Sequence, residues 1–301
     1  MKKVLLHALN QWAHHLRRAS LCFMLLSEGA SAIDIDAGDY TAAPAGTNVG
    51  LLYMQHSESK KLYSDGHDVS GDGRLRTDVG ILRAIHFMDV KGYIIDPQIL
   101  LPFGNLKATG DYGSTLGANA GVGDPILAAT VWTSNDPVNR RYFGITPFIY
   151  VPVGSYDHNE ALNMGENRWR YALQAGYIHG LGSKFTVDLA ADVTAYGAND
   201  EYGPQKLKME QDPTYQVQAF GRYHVSPALD LRVGIAHSWI GAVDVDGNQA
   251  TGQATETKFT AGVGYQLDPR LHLMALYGRD INVSDGFKEQ NRINLRVAVA
   301  F

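Results

Sequence analysis

The sequence predicts an all-β protein: one antiparallel up-and-down barrel of about twelve strands that crosses a membrane. Three observations predict it. Apolar and polar residues alternate with period two along most of the chain, the alternating stretches run about 10–14 residues, and their connections are short and long by turns. Composition agrees. Of 301 residues, 19% are charged, which is too few for a solvated disordered chain, while 32 are Gly and 16 are Tyr, as strands, turns and interfacial rims require. No apolar run after residue 32 approaches the 18 residues of a membrane helix. A single Cys excludes a disulfide framework and multi-Cys zinc motifs, and a net charge of −5 leaves no basic footprint for nucleic acid.

Residues 1–32 read as a targeting signal. Lys2 and Lys3 open it, Arg17 and Arg18 precede the short apolar run Ala19 to Leu26, and Ala30-Ser31-Ala32 is a small-residue cleavage site. Cys22 lies inside it. Removing 1–32 takes four basic and one acidic residue and leaves a Cys-free chain of charge −8. Residues 33–47 carry Asp34, Asp36 and Asp39 and do not alternate after Asp39. They are expected to fold into the lumen as a plug against inward arginines, with a loose tail as the alternative. Residues 48–301 form the barrel.

Strands are expected near 48–57, 74–88, 92–101, 121–134, 140–153, 167–180, 184–196, 213–225, 228–241, 255–267, 270–279 and 291–301. The last is the clearest: Ile293, Leu295, Val297, Val299 and Phe301 alternate with Arg292, Asn294, Arg296, Ala298 and Ala300. Short turns fall at 89–92, 135–139, 180–183, 226–228 and 268–269. Long loops fall near 58–72, 102–120, 154–166, 197–212, 242–254 and 280–290. An even strand number puts both barrel ends on the periplasmic side with those turns. Tyr53, Trp132, Tyr150, Trp169, Tyr177, Trp239, Tyr265 and Tyr277 lie at strand ends, where interfacial girdles form. A soluble sandwich shares the alternation but not the strand length or loop pattern.

Placing the less apolar face of each strand inward lines the lumen with Arg76, Arg168, Arg170, Asp188, Asp192, Gln216, Gln218, Arg222, Arg232, Lys258, Arg292 and Arg296. Shielded charges need partners, so a cross-barrel ion-pair network is the plain expectation and solute selectivity the functional one. Tyr142, Thr146, Phe148 and Tyr150 form an inward aromatic patch. It serves either as a resting place for an apolar solute or as packing for the 102–120 loop.

Catalytic and metal motifs are weak. His237 and Ser238 are neighbours and therefore on opposite faces of a strand, and no G-x-S-x-G or H-E-x-x-H element occurs. A barrel lipid hydrolase is thus the least favoured reading. Asp68-Val69-Ser70-Gly71-Asp72-Gly73 begins like a calcium loop, but Val79 stands where the loop needs Glu. No cofactor or metal is expected.

Three stretches carry a family resemblance: Asp39 through Asn48, Gly121-Val122-Gly123-Asp124-Pro125, and Pro147 through Asp157 followed by Asn163 through Trp169. With Tyr196-Gly197-Ala198-Asn199-Asp200, their order and spacing resemble the phenol meta-pathway (MetA-type) outer-membrane channel family over nearly the whole chain after residue 32. The resemblance implies a Gram-negative outer-membrane channel for passive uptake of small hydrophobic, aromatic molecules. A structural or adhesive barrel with a closed lumen is the alternative. The expected partners are outer-membrane lipid and lipopolysaccharide, the barrel-assembly machinery, which reads a terminal aromatic such as Phe301, and the solute. A monomer is expected.

Overall fold

The computed structural model describes residues 34–301, so the targeting signal of 1–32 lies outside the described residues. Twelve antiparallel strands form the wall: β1 (Asn48–Ser64), β2 (Gly73–His86), β3 (Tyr93–Gly110), β4 (Ile126–Asp136), β5 (Arg141–Tyr150) and β6 (Arg170–Leu181). They continue with β7 (Phe185–Tyr196), β8 (Thr214–His224), β9 (Leu229–Ile240), β10 (Ala254–Gln266), β11 (Leu271–Val283) and β12 (Gly286–Ala300). Each pairs with the next, and β12 returns to β1 from Val49↔Ala300 to Tyr63↔Gly286. Phe301 completes the seam, exchanging backbone hydrogen bonds with Asn48 at 3.0 and 2.9 Å. Closure leaves no open edge, which hydrocarbon demands because it cannot hydrogen-bond a free peptide group.

Outward faces carry the apolar band. Along β9, Leu231, Val233 and Ile235 are exposed on the outside while Arg232 and Ser238 are buried within. Trp169, Tyr171, Tyr215 and Trp239 ring the loop end, and Tyr93, Tyr177 and Tyr265 the turn end, all exposed. Tyr53, Trp132 and Tyr150 do not join these rings. Trp132 and Tyr150 are buried inside, and the Tyr53 hydroxyl accepts a hydrogen bond from Arg83 at 3.0 Å.

All twelve strands fall where the alternation places them, but several ends differ. The expected loop at 280–290 is only the turn 284–285. β11 and β12 pair with each other up to Gly278↔Arg292 and then part: residues 279–283 follow β10, while 286–291 follow β1. The Glu289 N–H bonds Asp280 across the parting at 2.6 Å. Gly121 belongs to a separate short strand, Ala118–Val122, laid along β3 before Asp124-Pro125 breaks the pairing. Loops after β7 and β9 build a four-stranded lid from Asn199–Tyr202, Leu207–Gln211, Val243–Val245 and Asn248–Thr251. Met209, Val243 and Val245 are its small core.

The outward assignment has a direct test. Val233→Arg places a charge near mid-band and is expected to destabilise the barrel by about 2–4 kcal/mol. His237→Arg, nearer the rim, is expected to cost about 1 kcal/mol or less. Reversible denaturant unfolding in lipid measures both; equal costs would contradict the depth assigned here.

Candidate solute-conducting lumen

Residues 34–43 enter the lumen and turn back toward β1. The turn forms because the Asp39 N–H bonds the Asp36 carbonyl and the Thr41 N–H bonds the Gly38 carbonyl, both at 3.0 Å. Gly38 has φ +97, which a side chain resists, and its N–H donates to Asp188 at 2.7 Å. Tyr40 anchors the segment on the far wall. Its hydroxyl bonds Thr146 and Gln174, both at 3.0 Å, and its ring meets Trp132 edge-on at 5.7 Å. Gly176 is the seat for that ring: a Cβ there would lie 2.1 Å from it.

The three carboxylates of the segment meet the cations of the wall. Asp34 lies 2.9 Å from Arg292 and 3.6 Å from Lys258. Arg296 holds Asp39 at 2.5 Å and Asp36 at 3.3 Å, and Arg83 lies 3.6 Å from Asp39. Arg232 donates to the Ala37 carbonyl at 2.8 Å. Burial alone would raise all three carboxyls. For Asp34 the charges of Lys258 and Arg292 outweigh it, and for Asp39 those of Arg296 and Arg83 do, so both are held below the usual range. For Asp36 burial, reinforced by the charge of Asp39, prevails over Arg296 and pushes it up to about 6.

The other polar positions read from sequence also face inward. Asp188 pairs with Arg222 at 2.8 Å, Gln174 donates to Asp192 at 3.1 Å, and Gln216 donates to Asp34 at 3.0 Å. Gln218 accepts from the Ile35 N–H at 3.1 Å. Arg168 precedes β6 in the 151–169 loop. It and Arg170 share Glu166 at 2.8 and 2.7 Å, and they lie over the rings of Tyr196 and Tyr150 respectively. Arg76 is the exception. It faces outward, because β2 turns its more apolar side inward: Leu75, Thr77, Val79, Ile81, Arg83 and Ile85.

That reversal gives the lumen two unlike walls. The charged wall runs over β7–β12. The apolar wall joins Leu75, Val79 and Ile81 of β2 to Leu100 and Leu106 of β3, Ile126 of β4, and Phe148 and Tyr150 of β5. Phe148 and Tyr150 pack with Ile126, Ala128 and Ala172, not against the 102–120 loop, since 102–110 is itself strand. Tyr142 sits lower, beside Trp132 and Tyr40.

Two cavities follow the apolar wall. The outer one, about 750 Å³, lies beneath the lid and the 151–169 loop. Leu75, Leu106, Leu162, Ile240 and Phe287 line it, above a floor of Glu256, Lys258, Asp280 and Arg292. The inner one, about 240 Å³, is bordered by Ile81, Leu100, Ile126, Phe148 and Tyr150, with Tyr40 at its side. Asp34, Gln55 and Val79 border both, so the docked segment lies on the path between them. Among the described residues no His, Cys, Asp and Glu cluster has metal-holding geometry.

Reading the strands by polarity missed several of these groups. Arg83 escapes that reading because both faces of β2 mix apolar and charged residues. Glu256 and Glu289, which pair Lys258 at 3.1 Å and Arg292 at 2.7 Å, stood at or beyond expected strand ends. Tyr40 carried no periodic signal; its only clue was an aromatic in an otherwise small and acidic segment.

The chain matches the family described as "Putative MetA-pathway of phenol degradation" over residues 59–297. No curated protein matches it. An outer membrane channel from Pseudomonas putida F1 is 39% identical in sequence, with a TM-score of 0.86, over 89% of this chain and 100% of that one. Two others share the fold alone. The β domain of the Bordetella autotransporter BrkA is 13% identical over 86% of this chain and 100% of its own, with a TM-score of 0.52. A TodX monoaromatic hydrocarbon channel mutant is 9% identical over 86% and 90%, with a TM-score of 0.50. With this match over most of its length and so similar a channel structure, the chain belongs to the phenol-degradation MetA-pathway family of outer-membrane channels.

Proposed function

We propose that this channel lets small hydrophobic, chiefly aromatic, molecules diffuse through the outer membrane of a Gram-negative cell, and that residues 34–46 stopper it between passages. The apolar wall carries the reading. A mainly apolar face from Leu75 to Tyr150, interrupted by Thr77 and bounded by the Arg83–Asp39 pair, gives a ring a surface to follow along an otherwise charged lumen. Short turns face the periplasm in such barrels, so the lid and the outer cavity face the medium. The inward side chains find their roles in ion pairs and packing, and diffusion needs no bound group or energy source.

One observation favours a rival. The docked segment sits between the cavities, as it would in a structural or adhesive barrel whose lumen stays closed. Uptake by intact cells separates the two. At micromolar concentration, cells lacking the channel are expected to take up a labelled neutral aromatic several-fold more slowly. Leu106→Asp, which puts a charge on the apolar wall, is expected to match the deletion. Equal uptake in all three strains would rule out the transport reading.

The stopper is also expected to respond to pH. Asp36 has an ordinary carboxyl value of 3.8 and a docked value of about 6. A raised docked value favours docking fully below 3.8, and that contribution is lost as pH rises through 6. Asp34 and Asp39 work oppositely, but their docked values are lowered, so their contribution is lost only in strong acid. Of the three aspartates only Asp36 titrates between pH 5 and 7.5, and docking loses about tenfold of its preference over that range. Planar-bilayer recordings are expected to show open events several-fold more often at pH 7.5 than at pH 5. Asp36→Asn should stay closed at both; an unchanged pH response in that variant would refute the assignment.

A further inference from the structure

The outer surface of β1–β3 carries a cationic cluster that the conducting lumen does not use. These strands are long, 17, 14 and 18 residues, and continue past the apolar band at the loop end. On the outside of β2 and β3, Leu82, Leu101 and Phe103 are exposed apolar residues, and Phe103 pairs with Gly80. Two cross-strand pairs above it, Arg76 stands directly opposite Lys107. Both are exposed and outward, and neither has an acidic partner within ion-pair distance among the described residues. The register partner of Arg76 on β1, Glu58, is already taken by Arg74 at 2.6 Å and Lys60 at 3.6 Å.

Like charges directly opposite on a sheet face repel and destabilise it. Here four cations share the face with two carboxylates, Glu58, held by Arg74 and Lys60, and Asp78, which binds His56 at 2.6 Å, so Arg76 and Lys107 are left over. They stand at the height where the apolar band gives way to polar headgroups, on the side where the wall itself continues upward. Elsewhere at the loop end the outward residues include the uncharged Trp169, Tyr171, Tyr215 and Trp239, and Arg279 of β11 stands there without a second cation opposite it, paired with Phe259. Arg presents a planar fork that fits phosphate oxygens, and Lys adds a point charge beside it.

We propose that Arg76 and Lys107 form a binding site for a phosphate of the phosphorylated glycolipid of the outer leaflet. The lipid's acyl chains lie along Leu82, Leu101 and Phe103 below, and its phosphate relieves the repulsion between the two cations. Arg74 and Lys60 flank the site and keep Glu58 from competing for it.

Native mass spectrometry of the full channel in detergent tests this, with defined bis-phosphorylated lipid A as the probe. The wild-type channel is expected to retain it, and dephosphorylated lipid A at least ten-fold less. Arg76→Gln/Lys107→Gln should lose at least ten-fold of the retention, while Lys206→Gln/Lys208→Gln on the lid should lose none. The single variant Arg76→Gln, with its heat-modifiable gel mobility recorded as a check on folding, should fall between. Equal retention by the double variant, equal retention of the dephosphorylated lipid, or complete displacement by equimolar phosphatidylglycerol would each overturn the site.

Discussion

Charge shut inside a narrow barrel must find opposite charge there, and that constraint organises this protein. Arg292 and Arg296 of β12, Lys258 of β10 and Arg83 of β2 all project inward, where burial leaves four cations without bulk solvation. Glu256 and Glu289 answer part of the charge from the wall itself. The rest is answered by Asp34, Asp36 and Asp39, which belong to no strand. The wall therefore holds a surplus that a segment outside the strands satisfies. On the proposed reading that segment, held by ion pairs and one tyrosine, leaves without disturbing the twelve-stranded ladder.

The same constraint separates the two walls. Most ion pairs gather on β7–β12, where Asp34 and Asp36 are held, while Tyr40 reaches to β4–β6 and Asp39 to Arg83. Beside Arg83 and a few polar groups such as Gln98 and Thr146, the inner faces of β2–β5 carry Leu, Ile, Val, Phe and Tyr. An apolar solute gains nothing on the charged wall and loses little on the other. Selectivity in this picture comes from the apolar wall, and gating from the charged one. The lid and the 151–169 loop shape the outer cavity but add few charges to it, since Glu166 already binds Arg168 and Arg170.

Much of this was legible in the sequence, and the part that was not has physical causes. The alternation in β9 and β12 is complete, so their faces could be assigned directly. In β2 both faces mix apolar and charged residues: Leu75, Val79, Ile81 and Arg83 look inward, while Arg74, Arg76 and Leu82 look outward. Polarity alone could not choose between them, and choosing the more polar side inverted Arg76 and Arg83. Residues 280–290 read as loop because Asp280, Asn282, Ser284, Asp285, Lys288 and Glu289 break up any apolar face. All but the turn 284–285 are strand, since they extend past the apolar band, where that requirement lapses. The three aspartates signalled a counter-charge for the lumen, but nothing in the spacing revealed that Tyr40 would lock between Gly176 and Trp132.

The central claim is that conduction requires residues 34–46 to leave their seat. The described chain has no cysteine, so a single one can report on that step. Ala37 is 1% exposed in the docked segment. Ala37→Cys should react with a charged thiol reagent only during open events, more slowly at pH 5 than at pH 7.5, and each modified channel should remain open because the adduct cannot re-enter the seat. Rapid modification of closed channels, or modification that leaves conductance unchanged, would contradict the account.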